Sequence, residues 1–215
     1  MTIQNLTRDE YNQSISLILD PETQRFADQA KSWWDRHFSW KAQGCDVLID
    51  EYGRHVSYLF SKVDRYHEYL IIYNLFTPQC DQRHGYAHAL LEQIIARSLE
   101  NKVKRITFSS VSDSLDFYLS LGFVFWGINA IGDYHCDLPI PKEGLNGFNL
   151  MTNTLDLELL AGSHFEKIYA KVHGNREKLS TKQALRHQQD CIKLTEQWSM
   201  ETLVQTTGYV PMIIL

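Results

Sequence analysis

The stretch Gln82-Arg83-His84-Gly85-Tyr86-Ala87 brings together a glycine, two side chains able to donate hydrogen bonds or carry positive charge, and the opening of a helix. The first N–H groups of a helix have no partner inside it, and the helix dipole is positive there. A glycine at that point lets a ligand approach the backbone closely. The chemistry this combination can do is to hold an anion, a phosphate or pyrophosphate above all. His84 and His88 stand four apart, which is also a metal-ligand spacing. No His-Glu-x-x-His pattern and no third ligand accompany them, so no metal is expected.

A cradle of this kind must be positioned by what flanks it. Tyr69 to Phe76 is a short, apolar, aromatic and β-branched run that reads as a buried strand. Downstream, Ala87, Leu90, Leu91, Ile94, Ile95 and Ser98 recur at helical spacing, so a helix from Gly85 to about Glu100 has one buried face. The bare reading is strand, loop and helix around an anion.

Two motifs then carry a resemblance. Gln82-x-x-Gly85-x-Ala87 matches the Gln/Arg-x-x-Gly-x-Gly/Ala signature of the GNAT superfamily of acetyl-CoA-dependent N-acetyltransferases. Asp116-Phe117-Tyr118-Leu119-Ser120-Leu121-Gly122-Phe123 resembles the family helix that ends in Gly-Phe, with a tyrosine four residues before the glycine. The pair covers roughly residues 45 to 153. The resemblance implies an α+β fold of layered type, with a central mixed and mostly antiparallel sheet flanked by helices. It implies acetyl-CoA as cosubstrate, with no metal. The pantetheine arm would bond the backbone of Leu75, Phe76 and Thr77, and the pyrophosphate would sit on Gln82, Arg83, His84, Gly85, Tyr86 and Ala87.

Moving an acetyl group from a thioester to an amine requires a neutral amine, a polarised carbonyl and protonation of the departing thiolate. No covalent intermediate is needed, so the missing Ser/His/Asp constellation is no objection. The resemblance makes Tyr118 the general acid, and an ordinary phenol pKa near 10 keeps it protonated at neutral pH. Some family members carry a glutamate on the strand before the cradle, where this chain has Leu70 or Ile71. Glu68, Tyr73 or a water chain remain as candidates for the base. Two further departures are a loop from Pro78 to Gln82 one residue longer than usual, and Val111 where asparagine is frequent. The implied acceptor is a small-molecule or peptide amine. The competing readings are a non-catalytic module that only binds acyl-CoA, and a nucleotide-binding protein of another α/β fold.

The rest of the chain frames this site. Its 215 residues, 44% hydrophobic and 22% charged, are those of a globular protein. The net charge of −5 argues against a nucleic-acid partner. Cys45, Cys80, Cys136 and Cys191 form no close pair and read as reduced thiols in the cytoplasm. No signal peptide or membrane span is expected. Thr7 to Glu10 is a capping box opening a helix expected to reach residue 19, and Asp20-Pro21 opens a second one to His37. Trp33, Trp34, Phe38 and Trp40 are expected in the core or as an aromatic wall. Strands are expected at 46–50, 55–60, 69–76, 105–110, 123–128 and 148–151. Ser112 or Asp113 should cap a short helix ending near Leu121. Residues 1–153 are taken as the acetyltransferase domain. Residues 154–215 are taken as a helical extension, apolar at its end, that packs on the core or builds a homodimer.

Overall fold

A computed structural model describes residues 1–66, 68–128, 133–154, 160, 162–164 and 168. They fall in two compact units, Met1–Val103 and Lys104 onward. Of the helical extension expected over 154–215, all but residues 154, 160, 162–164 and 168 lies outside the described residues, as do the apolar tail and Cys191.

The first unit is an antiparallel meander covered on both faces. Its elements are β1 (Thr2–Leu6), α1 (Arg8–Ile15), α2 (Pro21–His37), β2 (Cys45–Ile49), β3 (His55–Asp64), β4 (Tyr69–Phe76), a 3-10 turn (Gln79–Asp81) and α3 (Tyr86–Glu100). β1 pairs with β2, β2 with β3 and β3 with β4, each antiparallel, with register shifts at Leu48/Ile49 and Phe60/Ser61. Side chains alternate across a strand, and the alternation assigns the faces. Val47, Tyr58, Phe60 and Phe76 pack with Tyr11, Ile15, Ala27, Ala30 and Trp34 of α1 and α2. Asp46, one residue from Val47, faces the other way and takes Arg97 of α3 at 2.6 Å. Trp34 is fully buried against Phe38, Phe60 and Tyr73, so it is core.

Local chemistry sets the helix bounds. The capping box forms in full, with Thr7 and Glu10 bonding each other's backbone. The helix ends at Ile15, four residues short of the expected end. Ile18 is still buried, through a turn in which its N–H bonds Ile15 carbonyl, and that explains the apolar spacing. Pro21 holds Asp20 extended (φ −80°, ψ 125°), so the chain cannot continue helically. Asp20 then caps α2 by accepting from Thr23 N–H at 2.7 Å.

The second unit contains β5 (Arg105–Ser110), a 3-10 turn (Ser112–Ser114), α4 (Leu115–Ser120), β6 (Gly127–Ile128), β7 (Tyr134–Pro139), a 3-10 turn (Gly144–Gly147) and α5 (Phe148–Thr154). β7 pairs antiparallel with β5 along six residues and with β6 along two. Arg105 and Asp137 form a buried ion pair at 2.8 Å, and Arg105 also donates to Leu160 carbonyl.

Three expectations need correction here. The strand expected at 123–128 is reduced to Gly127–Ile128. Phe123, Val124, Phe125 and Trp126 are all buried without alternation, because they thread the core as irregular chain held by Trp126 N–H on His135 carbonyl. The strand expected at 148–151 is helix α5, whose buried residues Phe148 and Met151 are three apart, a helical and not a strand spacing. The short helix is capped by Ser114, and no side-chain cap bond forms.

Candidate active site

The cradle is built by the end of β4 and the start of α3. Phe76 pairs with Tyr58 of β3, and Leu75 with Leu59. Thr77 hydroxyl lies 3.0 Å from that of Ser57, and Thr77 carbonyl accepts from Gln82 Nε2 at 3.2 Å. The chain then turns through Gln79–Asp81. Arg83 (φ 64°) and Gly85 (φ 79°) both adopt the left-handed conformation, which is costly for an arginine and free for a glycine. A Cβ built on Gly85 would meet nothing within 4 Å, so the space in front of the helix terminus is open. Gln82, Arg83, His84 and Gly85 are exposed, Tyr86 and Ala87 half-buried, and the His84 and Tyr86 rings stack at 5.7 Å. All six residues expected at the pyrophosphate therefore line one loop and the first turn of α3.

Two carboxylates brace that loop. Asp20, besides capping α2, accepts from Gln79 N–H at 3.2 Å through its other oxygen. These bonds hold its carboxyl below the usual range against the cost of burial. Buried Asp81 meets Arg54 at 3.4 Å, and Arg54 is itself gripped by Asp50 at 2.8 Å. Asp50 in turn accepts from the N–H groups of Tyr52 and Arg54, closing the β2–β3 turn. Asp20, Asp50 and Arg54 are site-building residues that the sequence reading did not single out. The Asp-Pro cap hints at the first; nothing local points from Arg54 to a loop 27 positions away.

Tyr118 sits on α4 in the second unit, 7% exposed, with its ring against Phe108 (4.5 Å), Phe117 (5.1 Å) and Phe123 (5.9 Å). Burial pushes its phenol well above the ordinary value. The Gly-Phe pair that follows has a packing reason. Gly122 is left-handed (φ 86°), and a Cβ there would fall 2.4 Å from Asn149 N, so α5 can approach only a glycine. Phe123 N–H then bonds back to Tyr118 carbonyl.

The candidates for the base are placed apart. Glu68 lies in the β3–β4 turn with φ 59°, at the end of β4 away from the cradle. The eight residues of β4 put roughly 25 Å of strand between that turn and the loop. Tyr73 lies on β4 among Trp33, Trp34 and Phe38, and burial raises its phenol. A raised phenol is a worse proton acceptor near neutrality because its ionised form is rarer. Cys45 and Cys136 are buried thiols pushed up by burial, and Cys80 is an exposed one also held up. Among the described residues no three His, Cys, Asp or Glu side chains group as a metal site. No helix among them is long and apolar enough to cross a membrane.

Comparison with known proteins follows the same outline. A comparison with curated proteins found no match. Solved structures similar in fold include a variant spermidine N-acetyltransferase from Vibrio cholerae, 13% identical with TM-score 0.50, covering 68% of this chain and 95% of that one. Another is the PaiA N-acetyltransferase from Thermoplasma acidophilum in complex with coenzyme A, 11% identical with TM-score 0.49, covering 63% and 96%. The model of the acetyltransferase (GNAT) domain matches residues 21–139, which span α2 to β7 and hold both motifs. The chain belongs to the GNAT acetyltransferase family and has its α+β fold.

Proposed function

We propose that this acyltransferase moves an acetyl group from acetyl-CoA to a primary amine by direct attack, with no covalent enzyme intermediate. The observation that carries the reading is the open, left-handed Gly85 at the N-terminus of α3, inside the family-matching stretch. The cofactor's pyrophosphate would take the backbone N–H groups from Gln82 to Ala87, with Arg83 and His84 adding charge or donors. Leu75, Phe76 and Thr77 would bond the pantetheine arm. Acetyl-CoA supplies the activated acyl group, and the chain's own residues hold it, exclude water and donate to the sulfur.

The resemblance implies Tyr118 as the general acid, and we assign it the departing sulfur as a hydrogen-bond donor. A thiol near pKa 8.5 is a stronger acid than a phenol near 10, and burial widens that gap. Tyr118 therefore stays protonated throughout and acts by donating a hydrogen bond to charge developing on the sulfur. The amine gives up one proton to water and the thiolate takes one up from water, since a thiol near pKa 8.5 is protonated at neutral pH. For the base, Glu68 at the far turn and raised Tyr73 both fit less well than a water chain leading the amine proton away. The domain assignment is that residues 1–153 carry the reaction and 154–215 contribute no reacting group; the match to residues 21–139 supports the first half.

The absence of any carboxylate between Tyr69 and Phe76 favours one alternative, an acyl-CoA-binding module without turnover. Release of free coenzyme A, followed against a panel of polyamines, aminoglycosides and peptides, separates the two. Amine-dependent release supports the enzyme. Binding of acetyl-CoA with no turnover on any amine supports the module.

A further inference from the structure

The first unit has a second concavity of about 580 Å³, inside the roughly 300–1,000 Å³ range of small-molecule sites. It is enclosed by one side of α1, the α1–α2 turn, the β2–β3 turn and the segment Pro78–Asp81. Residue Gln4 of β1 lines it, and no residue of β4 does. It is thus separate from the strand along which the pantetheine arm would run.

Its walls have two characters. Leu6 and Ile18 are buried inside, while Leu17 and Leu19 at the mouth are 78% and 94% exposed. Two neighbouring leucines left in water are an apolar rim awaiting cover, each forgoing the gain that burial brings. On the floor, Ser14 Oγ holds His55 Nδ1 at 2.7 Å and Tyr58 hydroxyl at 2.6 Å, so these three groups satisfy one another. Charge is not balanced. Arg54 is engaged by Asp50 and Asp81. Glu10 uses Oε2 for Thr7, and its Oε1 makes no hydrogen bond among the described residues. Desolvation lowers the pKa of His55, against the pull of Glu10.

We propose that this pocket is a second ligand site, for an ammonium group carried on an apolar chain. The ammonium meets Glu10, and the chain lies against Leu6, Ile18 and the leucines of the rim. The carboxylate gives the sign of the head group, and the mostly apolar wall gives the tail. The far wall, Pro78 to Asp81, leads directly into the cradle. In that one respect the inference rests on the cofactor reading: occupancy of the pocket and of the cradle should be coupled, equally in both directions.

The test is calorimetric titration of the full chain with n-octylammonium, without acetyl-CoA, beside 1-octanol and n-butylammonium. Octylammonium should bind at least about tenfold more tightly than either, since losing a charge pair or most of the apolar contact costs on the order of 1.4 kcal/mol or more. Glu10→Gln, which keeps a capping side chain, should bring octylammonium down to the octanol level. Gln13→Trp, at an exposed position on the pocket wall, should fill the space and abolish binding while leaving the acetyl-CoA-induced melting shift intact. Gly85→Glu should still bind octylammonium, so failure at the pocket and failure at the cradle read out separately. No binding, or affinity unchanged in both pocket variants, overturns the proposal. So does acetylation of octylammonium that Gln13→Trp abolishes, which would make the pocket the acceptor site.

Discussion

The cradle and the surroundings of Tyr118 are opposite kinds of structure. The cradle is exposed, left-handed at two of three consecutive positions, and braced from outside by Asp20 and by the Asp50–Arg54–Asp81 chain. What it presents is mainly backbone. Tyr118 is enclosed by three aromatic rings, and what it presents is a single hydroxyl. A backbone site tolerates many side chains but not a change of conformation or a blocked approach. A buried hydroxyl tolerates changes around it but not its own removal.

That contrast breaks first at Gly85. Glutamate there is strained at φ 79°, places a side chain in the open approach and adds negative charge opposite a pyrophosphate. The melting-temperature increase that acetyl-CoA gives the native chain, expected because the ligand binds only the folded state, should vanish. A full shift in the variant would show that the phosphates bind elsewhere. At Tyr118 the expected loss is in rate. Tyr118→Phe keeps the ring in its aromatic cage and removes only the hydroxyl. Turnover should fall about 10²–10³-fold, as when one donor to developing charge is removed, with cofactor affinity little changed. An equal fall in affinity would make the hydroxyl a binding group; an unchanged single-turnover rate would remove it from the chemistry.

The braces sharpen the comparison at smaller scale. Asp20→Ala removes a helix cap and the bond to Gln79 N–H together. It should cost roughly 0.5–2 kcal/mol of stability, as caps do, and weaken acetyl-CoA binding with the rate at saturating cofactor retained. Asp20→Asn keeps one acceptor oxygen, enough for the Thr23 cap but not for Gln79 N–H as well, so it should recover most of the stability and leave the loss of cofactor affinity. A stability loss without any change in cofactor affinity would show that the loop does not need this brace.

Legibility in the sequence divides along the same line. The cradle was readable because its determinants are local: a strand, a glycine, a helix with one buried face, each with its own spacing. Asp20-Pro21 and the Thr7–Glu10 box were readable for the same reason. The bracing by Arg54 was not, since it depends on a β2–β3 turn folding over a loop far along the chain. In the second unit, Phe123 to Trp126 read as strand because four consecutive buried apolar residues look alike whether they lie in a sheet or thread a core. Phe148 to Met151 read as strand by composition, and the close approach of Asn149 to Gly122 that fixes α5 is a tertiary fact. Tyr118 is singled out by the resemblance alone; its enclosure by Phe108 and Phe123 is not legible in the sequence.

An effect confined to alkaline pH tests what burial does to the hydroxyls of both units. Burial raises the phenol of Tyr58 to about 12 and that of Tyr118 further. For a raised pKa the unfolded chain loses its proton first, near pH 10, while the folded chain keeps it. Between those values the unfolded state binds fewer protons, so stability falls as pH rises. It is fully present below about pH 10, and each buried tyrosine removes up to about 1.4 kcal/mol per pH unit above that. Urea melts from pH 8 to 11.5 should therefore be flat to about pH 10 and then decline. Tyr118→Phe should lessen the decline. Tyr58→Phe should lessen it too, less cleanly because Ser14 loses a partner. Absorbance near 295 nm should show these phenols ionising only as the chain unfolds. A phenol that ionises near pH 10 in the folded state, at unchanged stability, would mean that its ring is reached by water, and for Tyr118 that the hydroxyl is a stronger acid than its surroundings imply.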